Sequence, residues 1–171
     1  IHSVNHDSPL DIFIAQCFFR IPTITTVNNH LNKILPFFKE SLINFGHFNF
    51  DYLDFNERRL AYNFLLRKSK IDKKILVFPS GSIYTSIKKR FSKSIAKLSV
   101  KNELDVIAWK ISFKEKGNNF VKYEKDLLRF IFKRFLSERT IFEVQELDVF
   151  PHKKFNKEQD LHKILYEFYI K

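Results

Sequence analysis

The chain has 171 residues, 44% of them hydrophobic and 29% charged, which fits one globular domain and excludes a disordered tail or a small disulfide scaffold. A single cysteine, Cys17, excludes an internal disulfide or a multi-cysteine zinc site, and every apolar run falls short of the roughly 18 residues of a spanning helix. Thirty Lys and Arg against 19 Asp and Glu leave a charge of +11, which points to an anionic partner. Residues such as Phe, Lys, Asn and Ile are jointly abundant, as AT-rich codons would make them, so charge alone carries little weight. The chain begins at isoleucine and contains no methionine, so an upstream segment is expected.

Ser8-Pro9-Leu10-Asp11 opens a helix that carries Ile12 to about Phe19. Ser8 suits the N-cap, Pro9 the first helical position, and Asp11 completes a capping box. Leu31, Ile34, Leu35 and Phe38 recur at helical spacing around Pro36. Phe48 and Phe50 alternate with polar residues in a short strand after Gly46. Leu60 and Phe64 lie one turn apart in a helix over about Glu57 to Arg67. The apolar run from Ile75 to Phe78 ends in Pro79-Ser80-Gly81-Ser82 and reads as a buried strand entering a turn. Phe91, Ile95 and Leu98 mark a helix, and Val106 to Phe113 a strand. Leu127, Leu128, Ile131, Phe132 and Phe135 form a helical stripe, Phe142 and Val144 a strand, and Leu161, Ile164, Leu165 and Phe168 a final helix. This alternation predicts an α/β fold: a single layered domain over 1–171, with a mixed, mostly parallel sheet flanked by helices.

Capping accounts for Ser8, Pro9 and Asp11 but not for His6. The same cap directs the Asp11 carboxylate back toward the loop that holds His6, and the helix N-terminus favours its negative charge. An imidazole braced by a carboxylate keeps its other nitrogen free as a base. On these residues alone, a capped helix beside an ordinary histidine outweighs a catalytic pair. Cys17, between Ile14 and Phe18, is expected in the core. His2 and His6 have a metal-like spacing but no third ligand, so no metal is expected. His30, His47, His152 and His162 follow no partner pattern.

Asn5-His6-x-Ser8-x-x-Asp11 resembles the first, His-x4-Asp motif of the glycerolipid acyltransferases, the lysophosphatidate and glycerol-phosphate acyltransferase family. Further segments follow in the family's order. Leu31 and Pro36 fit the stretch after that motif. Gly46-His47-Phe48-Asn49-Phe50-Asp51 is similar to Gly-x-Ile-Phe-x-Asp-Arg, and Phe78-Pro79-Ser80-Gly81-Ser82 to Phe-Pro-Glu-Gly-Thr-Arg. The helix from Phe91 to Ser99 and the strand Val106 to Ile111 occupy the next family positions.

The resemblance implies acyl transfer from acyl-CoA or acyl carrier protein to a glycerolipid hydroxyl in phospholipid biosynthesis, with no bound cofactor. It implies His6 as general base and Asp11 as its partner. Backbone N–H groups near the first helix cap are candidate oxyanion donors. Gly46, Asp51, Phe78, Pro79, Ser80, Gly81 and Ser82 would bind substrate. It also implies a membrane surface as partner, a place at the cytoplasmic face, and no nucleic acid. The chain departs from the pattern at Tyr52, Ser80 and Ile83, where the family carries charged residues. Neither tyrosine nor isoleucine offers the bidentate fork of arginine. Lys88, Lys89 and Arg90 follow closely, as a substitute charge or a solvated helix end. A non-phosphate acceptor is therefore an alternative, and so is a non-catalytic basic module that binds lipid or nucleic acid.

Overall fold

A computed structural model describes residues 1–19, 23–29, 38–51, 53–71, 74–80, 91–114, 121, 126–127, 129–130, 133 and 141–170, the side chains of 28, 38 and 170 excepted. The expected helix around Leu31 and Pro36 therefore lies outside the described residues except for its end at Phe38, as does most of the stripe after Leu127.

The chain runs through β1 (His2–Val4), α1 (Asp11–Phe19), β2 (Thr26–Asn28), α2 (Phe38–Asn44), β3 (Phe48–Phe50) and α3 (Phe55–Ile71). It continues through β4 (Leu76–Val77), α4 (Ser94–Asn102), β5 (Val106–Phe113), β6 (Phe142–Phe150), a single 3-10 turn (His152–Lys154) and α5 (Glu158–Ile170). Strand order is β4-β1-β5-β6, with β1 parallel to both neighbours and β6 antiparallel to β5. A second parallel pair, β2-β3, abuts this sheet through a bridge between Ile24 and Ile75. The α/β expectation with a mixed, mostly parallel sheet is met. Strands β1 and β2 are not among the expected elements: His2-Ser3-Val4 and Thr26-Val27-Asn28 each hold a single aliphatic residue, which sets no alternation.

The two faces of the sheet are covered differently. Val4, Leu76, Ile111 and Phe113 pack under Ile14 and Ala15 of α1. On the other face Ile1, Ile75, Val77, Val106 and Ala108 meet Leu65 of α3, Ile95 and Leu98 of α4, and Leu161 and Leu165 of α5. The period of two along β5 and of three to four along the helices produces this two-sided burial. Full burial of each Leu or Ile contributes roughly 1.5–3 kcal/mol. Among the described residues β6 is an edge strand, and Glu143, Glu146 and Asp148 along it discourage pairing with another chain.

Helix α1 departs from expectation. Phe13 is 53% and Phe18 46% exposed, and Cys17 is exposed rather than in the core. A nine-residue helix apolar on nearly every side has too little sheet beneath it to cover Phe13, Cys17 and Phe18 at once.

Candidate functional site

Parallel strands deliver their following loops to one edge of a sheet. Because β1 and β4 are parallel neighbours, residues 5–11 and 78–80, remote in sequence, emerge side by side. The Phe78 ring lies 4.4 Å from the His6 ring, centroid to centroid. Ser80 Oγ donates to the His6 carbonyl at 3.4 Å. The segment returns at Ser92, whose N–H donates to Pro79 O at 2.7 Å.

The expected capping box is present. Ser8 N–H donates to Asp11 Oδ2 at 2.8 Å, and Leu10 N–H to Ser8 Oγ at 3.3 Å. Asp7 N–H donates to the same Asp11 oxygen at 2.7 Å. His6 Nδ1 lies 3.4 Å from Asp11 Oδ2. The carboxylate is fully buried, whereas the imidazole is 20% exposed. A buried carboxylate held by two backbone donors cannot swing away, so the ring that meets it has a set orientation. One side chain thus caps the loop and lies within ion-pair distance of the imidazole.

Several donors of the cap are already partnered. Asp7 and Ser8 N–H serve Asp11, Leu10 N–H serves Ser8 Oγ, Asp11 N–H donates to Ser8 O at 3.1 Å, and Pro9 has none. These four N–H groups are thus committed within the loop, so any oxyanion donor from the expected backbone set would come from other residues near the helix start.

Sequence reasoning quoted Asn5 but assigned it no task. Its amide accepts from Ile111 N–H (2.6 Å) and donates to Ile111 O (3.0 Å) and to Asp7 Oδ2 (2.8 Å). Asn5 therefore continues the β1–β5 pairing with its side chain, which frees the main chain to turn and carry His6 over the edge. Only a residue with donor and acceptor in one plane does this. The signal was in the sequence, but its partner lies 106 positions away.

The remaining expected site residues divide. Pro79 and Ser80 are buried beside the pair. Gly81, Ser82, Tyr52 and Ile83 lie outside the described residues, as do Lys88, Lys89 and Arg90. Asp51 follows β3 on the same edge as His6, but three strand spacings from β1, or about 14 Å. Its Oδ1 accepts from Leu53 N–H at 2.8 Å and its N–H donates to Glu57. Gly46 lies at the other end of β3, in the turn that ends α2, with φ of +79°. A hollow of about 390 Å³ there is lined by Lys39, His47, Phe48, Phe64 and Lys68 among others, away from His6.

Three other histidines have ordinary tasks. His2 accepts from the Trp109 indole at 3.1 Å, and burial pushes its pKa down to about 4. His47 accepts from Thr25 N–H at 3.3 Å, with its pKa lowered by burial. His152 meets Asp105 at 2.9 Å. Among the described residues no cluster of three or more metal-ligating side chains occurs, and no helix is long and apolar enough to cross a membrane.

Residues 1–133 match the model of the Acyltransferase family. The fold is similar to the 1-acyl-sn-glycerophosphate (LPA) acyltransferase PlsC of Thermotoga maritima, with a TM-score of 0.63 and 18% identity. That similarity covers 98% of this chain and 61% of the PlsC chain, so the chain spans less than two thirds of the solved structure it resembles. No curated protein sequence matches the chain.

Proposed function

Because the chain belongs to the Acyltransferase family, we propose that it transfers a fatty acyl group from an acyl thioester to a hydroxyl of a glycerolipid such as lysophosphatidate. The observation that carries this reading is the buried Asp11 carboxylate 3.4 Å from a partly exposed His6 imidazole at the sheet edge. With Nδ1 turned to Asp11, Nε2 takes the proton of the acceptor hydroxyl. The oxygen then attacks the thioester carbonyl, the tetrahedral oxyanion collapses, and the C–S bond breaks. The departing thiolate takes a proton, which leaves an ester and a free thiol. General-base assistance of this kind contributes roughly 100- to 10,000-fold. The family's usual donors, acyl-CoA or acyl carrier protein, supply the thioester, and no resident cofactor enters the scheme.

In this reading Phe78, Pro79 and Ser80 border the reacting groups, and Gly81 and Ser82 belong to the same expected substrate-binding segment. Asp51 holds a more distant part of the substrate along the edge, and Gly46 serves through the turn that sets β3. The acceptor headgroup is the open choice. Ser80 is buried against the His6 carbonyl where the family carries a charge, which favours a non-phosphate headgroup as the second reading. The enzyme works at the cytoplasmic face of a membrane, with lipid as its partner and not nucleic acid. The +11 charge and the exposed Phe13 and Phe18 support that placement.

The test is free-thiol release from palmitoyl-CoA with a panel of lysolipids that carry or lack phosphate. Acceptor-dependent release abolished by His6→Ala is expected. Undiminished turnover in purified His6→Ala would rule out the mechanism, and salt-sensitive oligonucleotide binding without thiol release would favour a binding module instead.

A further inference from the structure

The C-terminal helix, beyond residue 133 and outside the family match, reaches the central strands beneath the His6 loop through one polar side chain. Tyr169, in the last turn of α5, donates its hydroxyl to the Ser3 carbonyl at 2.6 Å and accepts from Trp109 N–H at 3.2 Å. Ser3 is on β1 and Trp109 on β5, so the hydroxyl sits at the seam of the two central strands, three residues before His6. Two features make room for it. Ser3 and Ala108 are direct register partners, both fully buried, and both small. Together they leave a dimple in the sheet face where larger side chains would keep the ring from the backbone. Phe91 stacks on Tyr169 at 5.8 Å, beside Ser92, which holds Pro79. One aromatic side chain therefore bears on the strand that leads to His6 and, through Phe91, on the turn that carries Phe78 and Ser80. Burial pushes the Tyr169 phenol up to about 12, so it stays a donor across the working range.

We propose that Tyr169 is a positioning residue for the His6–Asp11 pair, through which the C-terminal helix sets the height of the catalytic loop above the sheet. The inference rests on the acyl-transfer reading for its kinetic consequence but not for its structural one. Tyr169 reaches no substrate, so its loss changes turnover and not substrate affinity. Displacement of a base by a fraction of an ångström costs on the order of tenfold in rate.

The experiment compares the full-length protein with Tyr169→Phe, which keeps the ring and removes only the hydroxyl. The exposed neighbour Tyr166→Phe serves as control. Thiol release from palmitoyl-CoA with lysophosphatidate gives kcat and KM, and nitrogen-15 NMR follows the His6 ring without substrate. Tyr169→Phe is expected to lower kcat by roughly tenfold at unchanged KM and to shift the His6 ring signals, while Tyr166→Phe changes neither. Unchanged His6 signals in Tyr169→Phe would overturn the proposal, and so would a loss of kcat no larger than the loss of folded protein. A wild-type protein that releases no thiol would instead defeat the acyl-transfer reading. The NMR comparison would then still decide whether Tyr169 holds His6.

Discussion

Asp11 and Asp51 each close a segment that resembles an acyltransferase motif, and both follow strands that end on one edge of the sheet, yet the fold treats them differently. Asp11 has no solvent exposure, accepts two backbone N–H groups and meets an imidazole. Asp51 is half-buried and accepts one N–H in a turn. A buried carboxylate is costly unless it is partnered; Oδ2 of Asp11 takes both backbone donors and faces the imidazole, whereas Oδ1 has no hydrogen-bond partner among the described residues, so the fold holds the group in place through one oxygen. A half-solvated carboxylate tolerates movement and suits a group that adjusts to a ligand. Motif likeness ranks neither residue above the other, and burial does.

The comparison can be broken most directly at Asp11. Asp11→Asn is expected to lower kcat by roughly 100- to 10,000-fold with the fold retained, measured by thiol release alongside thermal unfolding. Turnover near the wild-type level would remove the bracing role. Asn5→Leu tests the support beneath the pair. It strands Ile111 N–H without its side-chain acceptor and is expected to cost about 1–3 kcal/mol in unfolding free energy, read by denaturant titration. A neutral result would mean that the loop holds its own shape.

Asp51→Asn keeps the turn, since the amide oxygen also accepts from Leu53 N–H, so stability is expected to stay level. KM for the acceptor is expected to rise several-fold at near-constant kcat. A collapse of kcat comparable to that of Asp11→Asn would erase the distinction between the two carboxylates.

Asp105 extends the series to the surface. The His152 N–H at 2.9 Å, then its imidazole, hold the Asp105 carboxyl below the usual carboxylate range. Such a depressed group contributes its stability above the unfolded value of about 3.9, and loses it as pH falls through the lower folded value. The side chain is 55% exposed, so solvent screens most of this. Melting curves of wild type and Asp105→Asn are expected to differ slightly at pH 6 and to converge in acid, once the carboxyl is protonated in the folded state as well. A large gap at pH 6 would mean that exposure is a poor guide to what a carboxylate contributes here.

Much of this organisation was legible along the chain. Helices α3, α4 and α5 and strands β5 and β6 follow from periodicity, because each has enough residues to repeat its pattern, whereas α1 follows from its cap. The cap at Ser8 and Asp11 is a local device, written within four residues, and it appears as expected. Cys17 misled because a helix with apolar residues on every side does not say which side is covered.

What the sequence determined alone is therefore the local chemistry: which segments are strands or helices, and that an imidazole precedes a capped helix whose carboxylate turns back toward it. What tertiary structure decided is which distant groups complete that chemistry. Parallel pairing of β1 with β4 brings Phe78 and Ser80 to His6, and pairing of β1 with β5 gives Asn5 its partner. The Ser3–Ala108 dimple admits Tyr169 from the far end of the chain. Periodicity and capping act within a few residues, whereas these contacts depend on strand order and register. Those are set by the joint burial of two sheet faces, which no single segment encodes.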